Sequence, residues 1–189
     1  MRKHVTAGLL VGLSALFAAQ AAADDRKAND DQNRKIQIRD DCDPTDPAWA
    51  PTGGCTLKGG AVNFAEFGLL LFSPLSAGSP IGHPAWRMDP TYVRIDPNDT
   101  LRVTNTGGRH HTFTEVAQFG GGFVGGLNGT LLVAPECPPA ASAQLAPGDT
   151  VNIHSLSVGD HRFQCCIHPW MRMLVKVEAE EHGEGEHEH

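Results

Sequence analysis

A thiolate, an imidazole and a thioether stand within seven residues, Cys165 to Met171, in the run Phe163-Gln164-Cys165-Cys166-Ile167-His168-Pro169-Trp170-Met171. Soft sulfur donors beside an imidazole suit copper better than a hard cation. So short a run needs a second imidazole from elsewhere to complete a site. Arg109-His110-His111-Thr112-Phe113-Thr114 offers one. The chain is therefore expected to fold in a way that brings two distant segments together.

The segments between and around these residues read as short strands. Thr91-Tyr92-Val93-Arg94-Ile95 and Leu101-Arg102-Val103-Thr104 alternate apolar and polar, with Asp96-Pro97-Asn98-Asp99-Thr100 as the turn between them. Proline presets the first central turn residue and asparagine tolerates the second. The device recurs at Ala146-Pro147-Gly148-Asp149-Thr150, ahead of Val151-Asn152-Ile153. Asp160–Gln164 and Leu174–Val177 add further strands. Many short strands with Gly/Pro turns predict an all-β sandwich or barrel. Ala61–Leu75 is apolar, and its pattern leaves helix and strand both open. Phe119–Asn128 holds five glycines but lacks the lysine and helix start of a phosphate-binding loop, so it reads as a structural surface loop.

Residues 1–23 read as an export signal. Arg2 and Lys3 give the positive start, Leu9–Ala19 the apolar run, and Ala21-Ala22-Ala23 a small-residue cleavage site. The run is too short to span a bilayer, the arginines are not paired, and no cysteine closely follows. Cleavage near Ala23 by the general route, into the periplasm or the medium, is expected, with no membrane insertion. About 166 residues remain, enough for one domain. The net charge of -7 sits at the ends, because Ala48–Val177 carries eight acids against eight bases. Nothing basic is large enough for nucleic acid. The expected organisation is a signal (1–23), a polar leader and a Cys42/Cys55 loop (24–60, with 24–39 mobile), a domain at 61–177, and a disordered Glu/His-rich tail (178–189).

Five cysteines in an exported chain leave one thiol over if the rest pair. Cys165 as a metal thiolate explains the leftover. Cys42, Cys55, Cys137 and Cys166 then allow three connectivities, of which Cys42–Cys55 with Cys137–Cys166 contains the local option. Strand alternation lets only one of Cys165 and Cys166 face the site, and the spacing to His168 selects Cys165. His111 opens the strand His-Thr-Phe-Thr after the turn at Gly107-Gly108, whereas His110 faces away into solvent. His83, His154 and His161 lack ligand-like spacing and read as structural. Met171 is favoured as the fourth donor over Met173, which is in phase with Val175 and Val177 as a core residue. Two histidines and a cysteine in a plane with a weak axial methionine describe a blue-copper electron-transfer site.

From Pro90 to Glu178 the chain resembles the cupredoxins, its loop being most similar to that of the amicyanins. The resemblance rests on Phe163-x-Cys165-x-x-His168-Pro169-Trp170-Met171-Arg172, on Val175-x-Val177-Glu178, and on Asn105 six residues ahead of His111. It implies a Greek-key β-sandwich or barrel with an N-terminal loop-rich extension. It also implies one type 1 copper ion held by His111, Cys165, His168 and Met171, although plastocyanins and pseudoazurins space the methionine as Met173 would. It implies further that the ring edge of His168 lies at the surface, in an apolar patch with Pro169 and Trp170. Trp170 reads equally well as core. The chain departs from the pattern at Cys166, Met173 and Thr112. Thr112 stands where relatives often have an asparagine that ties the two ligand loops, and its hydroxyl offers the same tie.

The implied activity is single-electron carriage by Cu(I)/Cu(II) cycling, with a transient redox partner and a monomeric chain. Copper storage or delivery is the main rival. An enzyme would need extra copper ligands, and the only His-x-His is His187-Glu188-His189. A structural zinc site would leave the methionine unused.

Overall fold

The computed structural model describes residues 35–53, 55, 60–71, 86–139 and 143–179. The expected signal (1–23), the leader up to residue 34, His83 and the tail from residue 180 lie outside the described residues. Among the described residues no helix is long and apolar enough to cross a membrane.

The fold is an all-β sandwich, as expected. One sheet is ordered β2-β1-β4-β8 and the other β3-β10-β9-β6. In the first, β1 (Lys35–Asp40) lies antiparallel to β2 (Trp86–Asp89) and parallel to β4 (Leu101–Asn105), which pairs with β8 (Thr150–Ile153). In the second, β10 (Arg172–Val177) runs between β3 (Tyr92–Ile95) and β9 (Gly159–Gln164), and β9 also pairs with β6 (Thr114–Val116). A short pair, β5 (His111–Thr112) with β7 (Gln144–Leu145), closes the end where the candidate ligands lie. Alternation puts Ile36, Ile38, Met88, Leu101 and Val103 inside from one sheet. Val93, Phe163, Met173, Val175 and Val177 meet them from the other.

Both proline turns form as expected, and each is closed by an aspartate. Asp96 N–H donates to the Asp99 carboxylate (3.1 Å), and Ala146 N–H donates to that of Asp149 (2.8 Å). The apolar stretch whose state was open is helical over Phe64–Leu71 (α1). Asn63 caps it by accepting the Glu66 N–H at 2.8 Å.

Two expectations are corrected. The leader does not extend to Arg39: Lys35–Asp40 is an integral strand flanked on both sides. Lys35, Gln37 and Arg39 face outward while Ile36, Ile38 and Asp40 face inward, a period-two pattern that the polar composition concealed. The glycine-rich segment is not simply a surface loop either. Gly121, Gly122 and Asn128 are buried, and Phe123 N–H donates to the Cys166 carbonyl at 2.9 Å. A Cβ on Gly122 would stand 1.9 Å from that carbonyl oxygen, so only glycine permits this approach.

Candidate metal centre

The first donor is delivered by a pinned turn. The Asn105 side chain, at the end of β4, donates to the carbonyls of Arg109 (2.7 Å) and Leu145 (2.9 Å) and accepts the Gly107 N–H (2.9 Å). Asp40, at the end of β1, accepts the N–H groups of Gly108 (2.7 Å) and Arg109 (2.8 Å) on its two oxygens. A Cβ on Gly107 would lie 2.7 Å from the Asp40 carboxyl carbon, so the turn closes this tightly only with glycine there. The turn leaves His110 exposed and His111 fully buried, facing inward.

The other two donors come from the loop between β9 and β10. Cys165 N–H donates to the Met171 carbonyl (3.0 Å) and Met171 N–H to that of His168 (2.9 Å), which folds the loop on itself. The adjacent cysteines diverge at the start of this loop, just past the end of β9. Cys165 is a free, buried thiol, whereas Cys166 is bonded to Cys137 within a small separate core containing Val116 and Ala134. Cys42 and Cys55 form the second disulfide.

Three donor atoms converge. His111 Nδ1 lies 3.8 Å and His168 Nδ1 3.7 Å from Cys165 Sγ, and the two nitrogens are 3.2 Å apart. An ion in their plane, about 2.0 Å from each nitrogen and about 2.3 Å from sulfur, leaves sulfur–nitrogen separations of about 3.8 Å. The observed triangle fits. One cation satisfies all three donors.

The surroundings are ordered. Thr112 N–H (3.3 Å) and His168 N–H (3.4 Å) donate to the Cys165 sulfur. The Thr112 hydroxyl accepts the Cys166 N–H at 2.7 Å and receives the Thr114 hydroxyl at 3.2 Å, so the anticipated tie between the two loops is present. His111 donates its far nitrogen, Nε2, to Asp40 at 3.2 Å, an acceptor-only carboxylate that fixes the tautomer and frees Nδ1 for a metal. Burial pushes the His111 pKa down, but the Asp40 hydrogen bond and the Cys165 sulfur outweigh it and lift it to about 9. Burial likewise raises the Cys165 thiol, and the two histidines outweigh it, holding it well below its ordinary value. Asp40 is shifted down, its burial outweighed by His111 and the Gly108 and Arg109 amides.

The far edge of the site is roofed. Trp86 meets His168 edge-on at 5.3 Å between centroids, and Trp170 lies 5.5 Å from the same ring. Trp49 stacks on Trp86 at 5.9 Å, Phe67 packs on both, and the Arg109 guanidinium caps Trp86 at 5.5 Å. The expected surface patch is therefore corrected. His168 is 9% exposed, and Pro169 and Trp170 are buried; Trp86 packs on His168, and Phe67 and Trp86 pack on Trp170.

His111, Cys165 and His168 are brought together as a group able to hold a metal. Met171 and Met173 are both fully buried, with Met173 in the strand register opposite Phe163 and Met171 in the ligand loop. His154 bonds Thr100, and His161 bonds Glu115 and the Ser157 carbonyl, each remote from the centre as expected. Asp40 was not anticipated; the alternation Ile36-x-Ile38-x-Asp40 was the available signal that it points inward.

No family model matches the chain, and no curated protein matches it. Solved structures do. The purple cupredoxin from Nitrosopumilus maritimus is 15% identical over 76% of this chain and 98% of its own, with a TM-score of 0.40. A proline-to-phenylalanine mutant of amicyanin in its reduced state is 22% identical over 47% of this chain and 70% of its own, with a TM-score of 0.32. A reduced tryptophan-to-tyrosine mutant of amicyanin is 20% identical over 49% and 73%, with a TM-score of 0.34. These structural neighbours are cupredoxins. At such low values the likeness leaves the chemistry to this chain's own side chains.

Proposed function

We propose that the protein is an exported type 1 (blue) copper protein that carries single electrons between redox partners, an electron carrier rather than a catalyst. The observation that carries this reading is the triangle of buried donors His111, Cys165 and His168, with sides of 3.8, 3.7 and 3.2 Å. His111, Cys165 and His168 would hold one copper ion, and Met171 would supply a weak thioether donor. The position of Met171 in the ligand loop, where its carbonyl takes the Cys165 N–H, supports that choice over Met173 in β10. When bound, copper supplies a one-electron Cu(I)/Cu(II) couple.

The chain's own residues supply the rest. Two N–H groups on the sulfur orient it and draw off electron density. The Thr112–Cys166 bond and the Asp40 clamp keep the donor triangle from rearranging when the charge at its centre changes. The aromatic roof keeps water out. Donors sealed in this way oppose the storage or delivery reading, because handing an ion to a recipient needs ligands within its reach. A signal at residues 1–23 cleaved near Ala23, a periplasmic or secreted location, a solvated Glu/His-rich tail, a monomeric state and a transient redox partner complete the proposal.

Copper(II) added to the purified protein should give an intense blue sulfur-to-copper charge-transfer band, and Cys165→Ser should abolish it. A colourless copper(II) form of the intact protein would refute the electron-carrier reading. Met171→Leu should shift the potential more than Met173→Leu, and the reverse order would reassign the axial donor.

A further inference from the structure

We propose that Asp40 sets the reduction potential of the centre: its buried negative charge, one imidazole ring away from the ion, favours the oxidised state and lowers the potential. The inference rests on the copper reading above. Asp40 is 2% exposed, and both of its oxygens are engaged. One accepts the Gly108 N–H at 2.7 Å; the other accepts the Arg109 N–H at 2.8 Å and His111 Nε2–H at 3.2 Å. Three donors aimed at one carboxylate hold it ionised and immobile. A backbone carbonyl in that place would fix the His111 tautomer equally well. What a carboxylate adds is charge, and it makes the ring a stronger donor.

The charge count decides the sign. The thiolate of Cys165 and the carboxylate of Asp40 each carry one negative charge, and the two ligand imidazoles are neutral once bound. With Cu(II) the buried group sums to zero; with Cu(I) it carries one negative charge. An added buried negative charge is costly, so Asp40 opposes reduction. The buried Arg172, whose Nε donates to the Pro169 carbonyl at 2.8 Å, is the same in both oxidation states and leaves the sign of the Asp40 effect unchanged. The cation on the roof side is Arg109, whose guanidinium lies beyond the Trp86 ring, 5.5 Å from its centroid, and donates to Thr52. It is part-exposed, so solvent screens it more than it screens Asp40. The surroundings of His168 differ: the aromatic rings of Trp86 and Trp170 pack against it.

The test is a spectroelectrochemical titration of the copper-loaded full chain, comparing the unmodified protein with Asp40→Asn and Asp40→Glu. Asparagine keeps the shape and, with its oxygen toward Arg109 and His111, an acceptor for His111; it removes the charge and the acceptor for the Gly108 N–H. It should remain blue, and its potential should rise by the equivalent of a tenfold or greater change in the Cu(II):Cu(I) ratio, about 59 mV for one electron. Glutamate should bring the potential back toward that of the unmodified protein. A blue Asn variant with an unchanged potential would show Asp40 to be a mechanical clamp and overturn the proposal. If the Asn variant does not fold, Asp40→Glu against Asp40→Gln provides the same charge-only comparison, with the same gap expected and equal potentials overturning it. An unmodified protein that stays colourless with copper(II) removes the copper reading, and this inference falls with it, an outcome distinct from equal potentials in blue proteins.

Discussion

The loops that carry the donors and the segment that closes over them are held by different forces. Around His111, Cys165 and His168 the chain is fixed by directional hydrogen bonds, several at 2.7–3.0 Å, from Asn105, Asp40, Thr112 and the backbone of the loop itself. The segment from the end of β1 to β2 provides none of the three donors. It contributes the stacked Trp49 and Trp86, Phe67, and the Cys42–Cys55 bond. Directional bonds set the positions of atoms to tenths of an ångström; aromatic burial and a cross-link supply bulk stability and exclude water. Damage to the donor loops should therefore change the chemistry at the centre. Damage to the roof should change stability and access while leaving the chemistry recognisable.

The largest expected effect comes from Trp86→Ala. Truncating this buried ring should cost about 3–5 kcal/mol, read by urea denaturation of the copper-loaded protein. The blue band should survive. Electron exchange with a small hydrophilic oxidant, followed by stopped flow, should become faster, because the ring covering His168 is gone. Loss of the blue band would mean that the roof holds the donors in place, and the division would fail.

Next in size is the paired substitution Cys42→Ser with Cys55→Ser. The bond closes a short loop, with a sequence separation of 13, so its removal should cost about 3 kcal/mol. The spectrum should change little. Cys137→Ser with Cys166→Ser sharpens the contrast, since Cys166 adjoins the sulfur donor and its N–H is bonded to Thr112. That pair should cost a similar amount and also perturb the visible band. Equal spectral effects from the two pairs would break the distinction between roof and donor loop.

The same division explains what could be read from the sequence. The donor loop was legible because its residues are concentrated: Cys165, His168 and Met171 share one loop, and only one of two adjacent cysteines can face it. Thr112 was legible only through the resemblance, because it stands where relatives often have an asparagine that ties the two ligand loops. The strands around Val93, Val103 and Val175 showed themselves by alternation. Asp40 was hidden because its partner His111 is 71 positions away and its own neighbourhood is charged, so a buried carboxylate looked like one more solvated acid. The roof was hidden for a related reason. Trp49, Phe67 and Trp86 are scattered among Pro- and Gly-rich stretches, and nothing local to any of them says which surface they cover. Of the three disulfide pairings open to the sequence, the one containing the local Cys42–Cys55 option is the one that forms, with Cys166 bonded to Cys137.

The smallest effect, counted per unit of pH, tests the donor side alone. In the metal-free protein His111 titrates at about 9, because Asp40 and the Cys165 sulfur outweigh its burial, while Cys165 is held well below its ordinary value. At neutral pH His111 is therefore protonated. A metal takes the imidazole only without its Nδ1 proton, so the ion competes with that proton, while the lowered Cys165 value weakens the competition at sulfur. A raised histidine pKa makes the competition stiffer as pH falls. The apparent affinity for copper should thus rise about tenfold per pH unit up to about pH 9 and then level off, with about one proton released per ion bound at neutral pH. Isothermal titration calorimetry in buffers of different ionisation enthalpy measures that proton directly. Asp40→Asn should shift the levelling-off point to lower pH, because one of the two groups that raise the His111 pKa would be gone. Release of two protons would mean that a second donor is also protonated in the metal-free site, and a pH-independent affinity would mean that His111 does not carry the proton expected of it.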